Sequence, residues 1–110
     1  MATLSPKTLY IGDTTDANVY SVGSNVGDYT ILRHINICNA NTTTDKTITV
    51  HLIAPAGSAG DNNKYLSSFP VKANDSIQID TGLVLSNGYS VYVSHTGNVT
   101  TTITGVEYLV

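Results

Sequence analysis

The sequence predicts an all-β fold, an antiparallel β-sandwich or jelly roll of about seven to nine short strands. Only 12% of the residues are charged, against about 25% in ordinary soluble domains. The hydrophobic share of 41% contains one Phe and no Trp, which suits a thin core between two sheets. Apolar and polar residues alternate in short runs that end at Gly, Asn and Asp, and no helical period is present.

We expect a single domain, because 110 residues support one hydrophobic core. Residues 7–110 would form this domain. Residues 1–6 lack any period and end in Pro6, so we interpret them as an N-terminal arm that orders against a partner. Strand-like runs follow in chain order over residues 7–11, 18–22, 29–39, 47–52, 65–71, 77–85, 89–94 and 99–110.

The two runs over 29–39 and 47–52 show the clearest alternation and are joined by a short polar segment. Their apolar residues on one face are Ile31, Ile35, Ile37, Ile48, Val50 and Leu52. We therefore predict an antiparallel hairpin with an apolar inner face and a Thr, Asn and His outer face. Pro70 cannot donate a hydrogen bond to a neighbouring strand, so the run over 65–71 is predicted at a sheet edge.

The last run, over 99–110, changes the parity of its apolar residues. Val99 and Ile103 share one face, whereas Val106 and Tyr108 point the other way. If both sets are buried, one extra residue must separate them, and Gly105 is the natural position for a β-bulge. Residues 54–63 contain Pro, Gly, Asp and Asn and predict an exposed loop of about ten residues.

No residue pattern supports catalysis, a cofactor or a metal site. His34, His51 and His95 are far apart in sequence, and Cys38 is the only cysteine, so zinc-ligand spacing is missing. A histidine meeting its copies on a three-fold axis remains the alternative. No G-x-S-x-G motif occurs, and the aspartates lie almost entirely in predicted turns. We therefore expect a protein that is not an enzyme and has no cofactor.

Charge and hydropathy also limit which kinds of partner are expected. The net charge is -3, with five Lys and Arg in all, which leaves no basic stripe for nucleic acid. No run approaches the ~18 apolar residues of a membrane span, and no signal peptide is recognisable at Met1. The lone Cys38 cannot form an internal disulfide. We expect no nucleic acid, no membrane and synthesis in the cytoplasm.

Three aromatic residues are candidates for an interface or a ligand contact. Tyr65 and Phe69 flank the long loop, and Tyr92 lies opposite the apolar face of its strand. Exposed aromatic side chains of this kind bind proteins and sugars. Partial burial at the sandwich edges is the other interpretation, and it is the more common one.

Four segments, in their order along the chain, resemble a known family. They are Ile35-Asn36-Ile37-Cys38-Asn39, Thr49-Val50-His51-Leu52-Ile53-Ala54-Pro55-Ala56-Gly57, Leu83-Val84-Leu85-Ser86-Asn87-Gly88 and Thr104-Gly105-Val106-Glu107. Each is weak alone, but the ordered set is similar to the small β-sandwich virion structural proteins of tailed bacteriophages. Tyr89 follows Gly88 where that family often has a charged residue, which leaves the role of this loop open.

The resemblance implies a capsid decoration or cement protein, or a tail or head-to-tail accessory. It implies other virion proteins as partners, such as the major capsid or tail proteins, and a homo-oligomer for which it suggests a trimer. The expected location is the virion, after synthesis in the host cytoplasm, and the family has no catalytic residues to carry over. The alternative function is a carbohydrate- or receptor-binding module for host recognition, which the region 54–69 and Tyr92 motivate.

Overall fold

The computed structural model describes residues 3–110, which form eight β-strands and one short 3₁₀ helix at Asp61–Asn63. The strands are β1 (Thr3–Gly12), β2 (Ala17–Ser21), β3 (Tyr29–Asn39), β4 (Lys46–Ile53), β5 (Lys64–Val71), β6 (Ser76–Ser86), β7 (Ser90–His95) and β8 (Val99–Leu109). The predicted all-β class is confirmed. Over this range, no helix has the length and hydropathy needed to cross a bilayer.

The strands form two four-stranded antiparallel sheets. The first sheet has the order β1-β8-β3-β6, and the second has the order β2-β7-β4-β5. Each connection crosses to the other sheet except the one between β4 and β5, and this interleaved order is that of a jelly roll. The predicted hairpin of β3 with β4 is therefore wrong, because these strands lie in different sheets. Two strands that face each other across a core show the same alternation as a hairpin.

The core lies between the sheets and is built from Leu, Ile and Val. The assignment of Ile31 to the inner face is wrong, and Leu32 is buried there instead. The pairing of β3 with both neighbours shifts between Leu32 and His34, so Arg33 is an extra residue that reverses the parity. The fully buried apolar side chains are Leu32, Ile35, Ile37, Ile48, Val50, Val71, Val91, Val93, Val99 and Ile103.

The predicted bulge at Gly105 is also wrong. Buried and less buried residues alternate along β8 without a break up to Tyr108, and the register shifts lie in its neighbours β1 and β3. Gly105 serves a different purpose, because a Cβ there would collide with the carbonyl oxygen of Ile31. Because β8 is regular, Glu107 points into the sandwich, and Val106 and Tyr108 point outward.

The two edge strands β5 and β1 bear on two of the sequence predictions. β5 lies at the edge of the second sheet, as Pro70 predicted. Of the predicted N-terminal arm, residues 1 and 2 lie outside the described residues. Residues 3–6 are the first part of β1 and pair with β8, from Thr3 opposite Leu109 to Pro6 opposite Val106, so this strand begins earlier than the predicted residue 7.

Candidate docking surface

The outer face of the first sheet carries two apolar rows that cross all four strands. Residues directly opposite each other in neighbouring antiparallel strands point to the same side of a sheet. The pairing therefore defines a first row and a second row on the outer side. The first row is Leu4, Tyr108, Tyr29 and Ser86, and the second row is Pro6, Val106, Ile31 and Val84. We call these eight residues the apolar face.

None of these eight side chains is buried within the chain. Leu4 is 58% exposed and Val84 is 62% exposed, and the other members are exposed or half-buried. Seven of the eight residues are apolar or aromatic, and none carries a charge. The next row along the strands is polar and consists of Thr8, Thr104, His34 and Asp80. Farther along the same side, Ile11 is a single exposed apolar residue opposite Thr102. The contiguous apolar rows thus lie at one end of the sheet.

An aromatic pair holds the middle of the apolar face. The rings of Tyr29 and Tyr108 stack with centroids 4.9 Å apart and planes inclined by 17°. Stacked rings fix each other's side-chain angles, so this part of the surface is preorganised for contact. β8 and β3, which carry the two tyrosines, are the two central strands of the sheet.

Two grooves flank the apolar face. One has a volume of about 540 Å³ and runs beside Tyr29, Ile31 and Val84 toward the loop at Gly27. The other has a volume of about 420 Å³ and lies beside Pro6 and Val106 on the side of Arg33. A partner that covered the face would therefore find depressions on both sides into which its own side chains fit.

Beneath the apolar face, on the inner side of β8, Glu107 forms a polar cluster that joins the sheets. The carboxylate accepts a hydrogen bond of 2.5 Å from the Tyr20 hydroxyl and pairs with the ammonium of Lys7. The Thr30 hydroxyl lies 2.7 Å from the Tyr20 oxygen and donates to it, because the Tyr20 proton is engaged by Glu107. β1 and β2 contact the carboxylate of β8 directly, and β3 joins the cluster through the Tyr20 hydroxyl.

The protonation states in this cluster follow from its contacts. Burial first, and then the hydrogen bond to Glu107, raise the pKa of Tyr20 far above its ordinary value, so the phenol stays neutral. Burial acts to raise the pKa of Glu107, but the hydrogen bonds from Lys7 and Tyr20 outweigh it and lower that pKa. Glu107 is 8% exposed and is therefore a buried, fully partnered carboxylate.

The three predicted contact residues do not gather in one place. Tyr65 packs against the core, and Phe69 pairs with the buried Ile48 at the edge of the second sheet. Tyr92 lies on the outer face of that sheet, where its ring meets His51 edge to face at 5.5 Å. None of them belongs to the apolar face, which lies on the other sheet.

The histidines and the cysteine are also dispersed. Within residues 3–110, no three His, Cys, Asp or Glu side chains lie close enough together to hold a metal ion. His34 contacts Asp80 at 2.6 Å on the surface, His51 is buried beside Asn63, and His95 accepts a hydrogen bond from the Gly97 amide. Each histidine thus has a local contact of its own.

Sequence reasoning missed the apolar face, although a signal for it was present. β8 has apolar residues of both parities, Val99 and Ile103 on one side and Val106 and Tyr108 on the other. We interpreted this as a bulge that would bury both sets. The other solution is a regular strand with one apolar set in the core and the second on the surface.

Comparison with known proteins leaves the family open. No protein-family model matches the chain, and no curated protein matches it. The structure of infectious bursal disease virus, Gx strain, is similar with a TM-score of 0.44 and 10% sequence identity over 98% of this chain. This chain spans 31% of that chain's length. At this TM-score the similarity carries no information about function.

Proposed function

We propose that this chain is a structural protein of a virus particle and binds the particle surface through the apolar face. The observation that carries the proposal is the pair of apolar rows across an outer sheet face. Ordinary antiparallel sheets keep the solvent side polar, and contiguous exposed apolar patches mark interaction sites. In finer terms, the protein is a capsid decoration or cement protein, or a tail or head-to-tail accessory, of a tailed phage.

The fold is compatible with this role but does not identify the function by itself. Jelly rolls occur in viral capsid proteins, in lectin domains and in cupins, and one fold hosts many functions. The choice of a virion protein rests on the four ordered segments that resemble phage virion proteins, together with the apolar face. The expectation that the protein is not an enzyme stays a prediction from the sequence motifs.

The size of the apolar face favours a partner that is present in many copies. Four strands about 4.8 Å apart and two rows about 7 Å apart give a flat area of about 300 Å² once side-chain width is added. A stable interface between two proteins needs about 800 Å² on each partner. One such contact is therefore weak, and repetition on a particle multiplies its effect.

The chemistry of the face specifies the partner's surface. The rows carry no charge, so the partner should offer a flat, neutral and apolar patch, on a major capsid or tail protein. Arg33 lines the adjoining groove, which favours an acidic side chain at the rim of that patch. We further propose a homo-oligomer on the particle, with a trimer suggested by the resemblance, and native mass spectrometry of the purified protein tests it.

Cryo-electron microscopy of purified particles, with subunit counting, tests the proposal. Many copies on the shell would support a decoration or cement role. A small fixed number at the neck or tail would support the accessory role. Absence of the chain from particles that are otherwise complete would overturn the proposal, and mass spectrometry of the same particles provides the independent control for low occupancy.

A further inference from the structure

The loop over residues 54–63 is made of small residues and is nevertheless held in place. Seven consecutive residues, from Ala54 to Gly60, have side chains no larger than that of proline, and a segment of this composition would ordinarily be flexible. Here the Asn63 side chain fixes it. Its oxygen accepts hydrogen bonds from His51 Nδ1 at 2.6 Å and from the Gly60 amide at 3.0 Å, and its nitrogen donates to the Ser58 carbonyl at 2.8 Å.

The anchor of this arrangement is a covered residue on the outer face of the second sheet. His51 is 6% exposed, so the loop is attached to β4 through a buried side chain and not only through its ends. A second contact, from the Gly57 amide to the Ala54 carbonyl at 3.0 Å, closes a turn at the start of the loop. The loop therefore keeps its shape although it fills little space.

A cavity results between the loop and the end of the sandwich. Its volume is about 560 Å³, within the range of about 300 to 1,000 Å³ that is usual for small-ligand sites. Leu52 and Tyr89 form one wall, and the backbone of residues 57–60 with Asn62 forms the other. The cavity exists because the residues facing Leu52 and Tyr89 lack side chains large enough to fill it.

The lining points to one class of ligand. The Ser58 hydroxyl, the Asn62 side-chain amide and the backbone amides of Ser58 and Ala59 take no part in the hydrogen bonds that hold the loop and can bond a ligand. Leu52 and Tyr89 supply apolar surface. No charged side chain is among the lining residues, and the nearby Lys64 is paired with Asp61 at 2.9 Å. We propose that this cavity binds a neutral saccharide, whose hydroxyls meet the amides and whose ring C–H groups meet Leu52 and Tyr89.

The saccharide site is separate from the apolar face. None of its lining residues belongs to the two apolar rows, and β4, which carries Leu52, lies in the second sheet. The inference goes beyond the proposed function and does not depend on it.

Amide NMR titration of the purified protein with neutral sugars tests the inference. The probes are the methyl glycosides of glucose, galactose, mannose and N-acetylglucosamine, together with the disaccharides of each. We expect saturable shifts of the amides of residues 57–60 and of Asn62 with at least one probe. If a disaccharide binds more tightly than its monosaccharide, the ligand is part of a glycan chain. If the two bind equally, the ligand is a free sugar.

Two variants locate the site. Gly60 has extended backbone, with φ at -163°, and a Cβ there would have Asn62 Oδ1 as its nearest neighbour at 3.5 Å, so Gly60→Val fits the backbone and occupies the cavity. We expect it to abolish the saturable shifts and Asn62→Ala to weaken binding about tenfold. Ser76→Val, at an exposed strand position at the other end of the sandwich, is the control and should bind as the unaltered chain does.

Three results would overturn the inference. They are the absence of saturable shifts with every probe, shifts that lie away from the loop, and unchanged binding by Gly60→Val. Thermal unfolding of each variant shows that loss of binding is not loss of the fold. Because the assay uses the isolated protein, its outcome is independent of whether the chain is found on particles.

Discussion

The outer faces of the two sheets have the same architecture and opposite chemistry. The first sheet presents the apolar face, with seven apolar or aromatic residues in two rows. The second sheet has a more polar outer face, where one row across the strands consists of Asn18, Tyr92, His51 and Lys64. The core requires only the inner faces to be apolar, so the outer apolar rows of the first sheet are the surface on which the proposed docking rests.

One histidine contact on each sheet shows a second difference between the sheets, which is burial. His34 and Asp80 on the first sheet are 2.6 Å apart, and so are His51 and Asn63 on the second. The side chains of the first pair are 46% and 82% exposed, whereas His51 is buried. Equal distances therefore predict unequal contributions to stability, because water competes for the exposed pair and not for the buried one.

The largest effect should come from placing a charge on the apolar face. We expect Val84→Asp to weaken binding to particles about a hundredfold, because an unpaired charge buried at an interface costs about 3 kcal/mol. Cosedimentation with particles stripped of the protein measures this. Val26→Asp is the matched control, since Val26 is 90% exposed in a loop outside the face. Equal weakening by the two variants would contradict the role given to the apolar face.

On the second sheet, the largest effect should follow loss of the buried histidine. We expect His51→Ala to lower the free energy of unfolding by roughly 1 to 3 kcal/mol, because the Asn63 side-chain oxygen loses one of its two donors and the loop loses its attachment to β4. Urea denaturation measures the change. A double-mutant cycle with Asn63→Ala should show coupling between the two side chains, and additive losses would contradict the role given to this hydrogen bond.

Beneath the apolar face, Glu107 should make stability depend on pH. Its pKa in the folded protein lies below the ordinary value of 4.5, so its ionised form stabilises the fold above that pH, and the contribution is lost as pH falls through the lowered pKa. Glu107→Gln should cost roughly 1 kcal/mol at neutral pH and flatten the acid dependence of unfolding. Asp13→Asn, at an exposed position, is the control, and an unchanged acid profile in Glu107→Gln would contradict the prediction.

The smallest effect should come from the exposed pair on the first sheet. We expect His34→Ala to change the free energy of unfolding by less than about 0.5 kcal/mol. The same urea experiment measures it beside His51→Ala. A loss as large as that of His51→Ala would show that burial does not separate the two contacts.

Composition and alternation predicted the all-β class, the sandwich, the long loop and the edge position of β5. They did not predict which strands share a sheet, because a period of two residues shows that a strand has an apolar face but not what that face meets. Ile31 lies on the outer face because Arg33 is an extra residue in β3. β8 itself is regular, and the register shifts lie in its neighbours β1 and β3. Such irregularities arise from tertiary pairing and leave no local pattern.

The candidate site was hidden for a related reason. Tyr65, Phe69 and Tyr92 were selected because they lie near a loop or opposite an apolar run, whereas the apolar face is assembled from four strands that are distant in sequence. Tyr29 and Tyr108 are separated by almost the whole chain and meet only through the pairing of β3 with β8. A surface of this kind follows from register, which the sequence alone does not specify.

The central claim is that the apolar face is the surface by which the protein docks. A cryo-electron microscopy map of intact particles, at a resolution that distinguishes the two sheets, tests it most directly. We predict that the first sheet faces the particle, with Tyr29, Val84 and Tyr108 covered by a neighbouring protein and the outer face of the second sheet in solvent. A map that shows the first sheet in solvent and the second sheet against the particle would contradict the account.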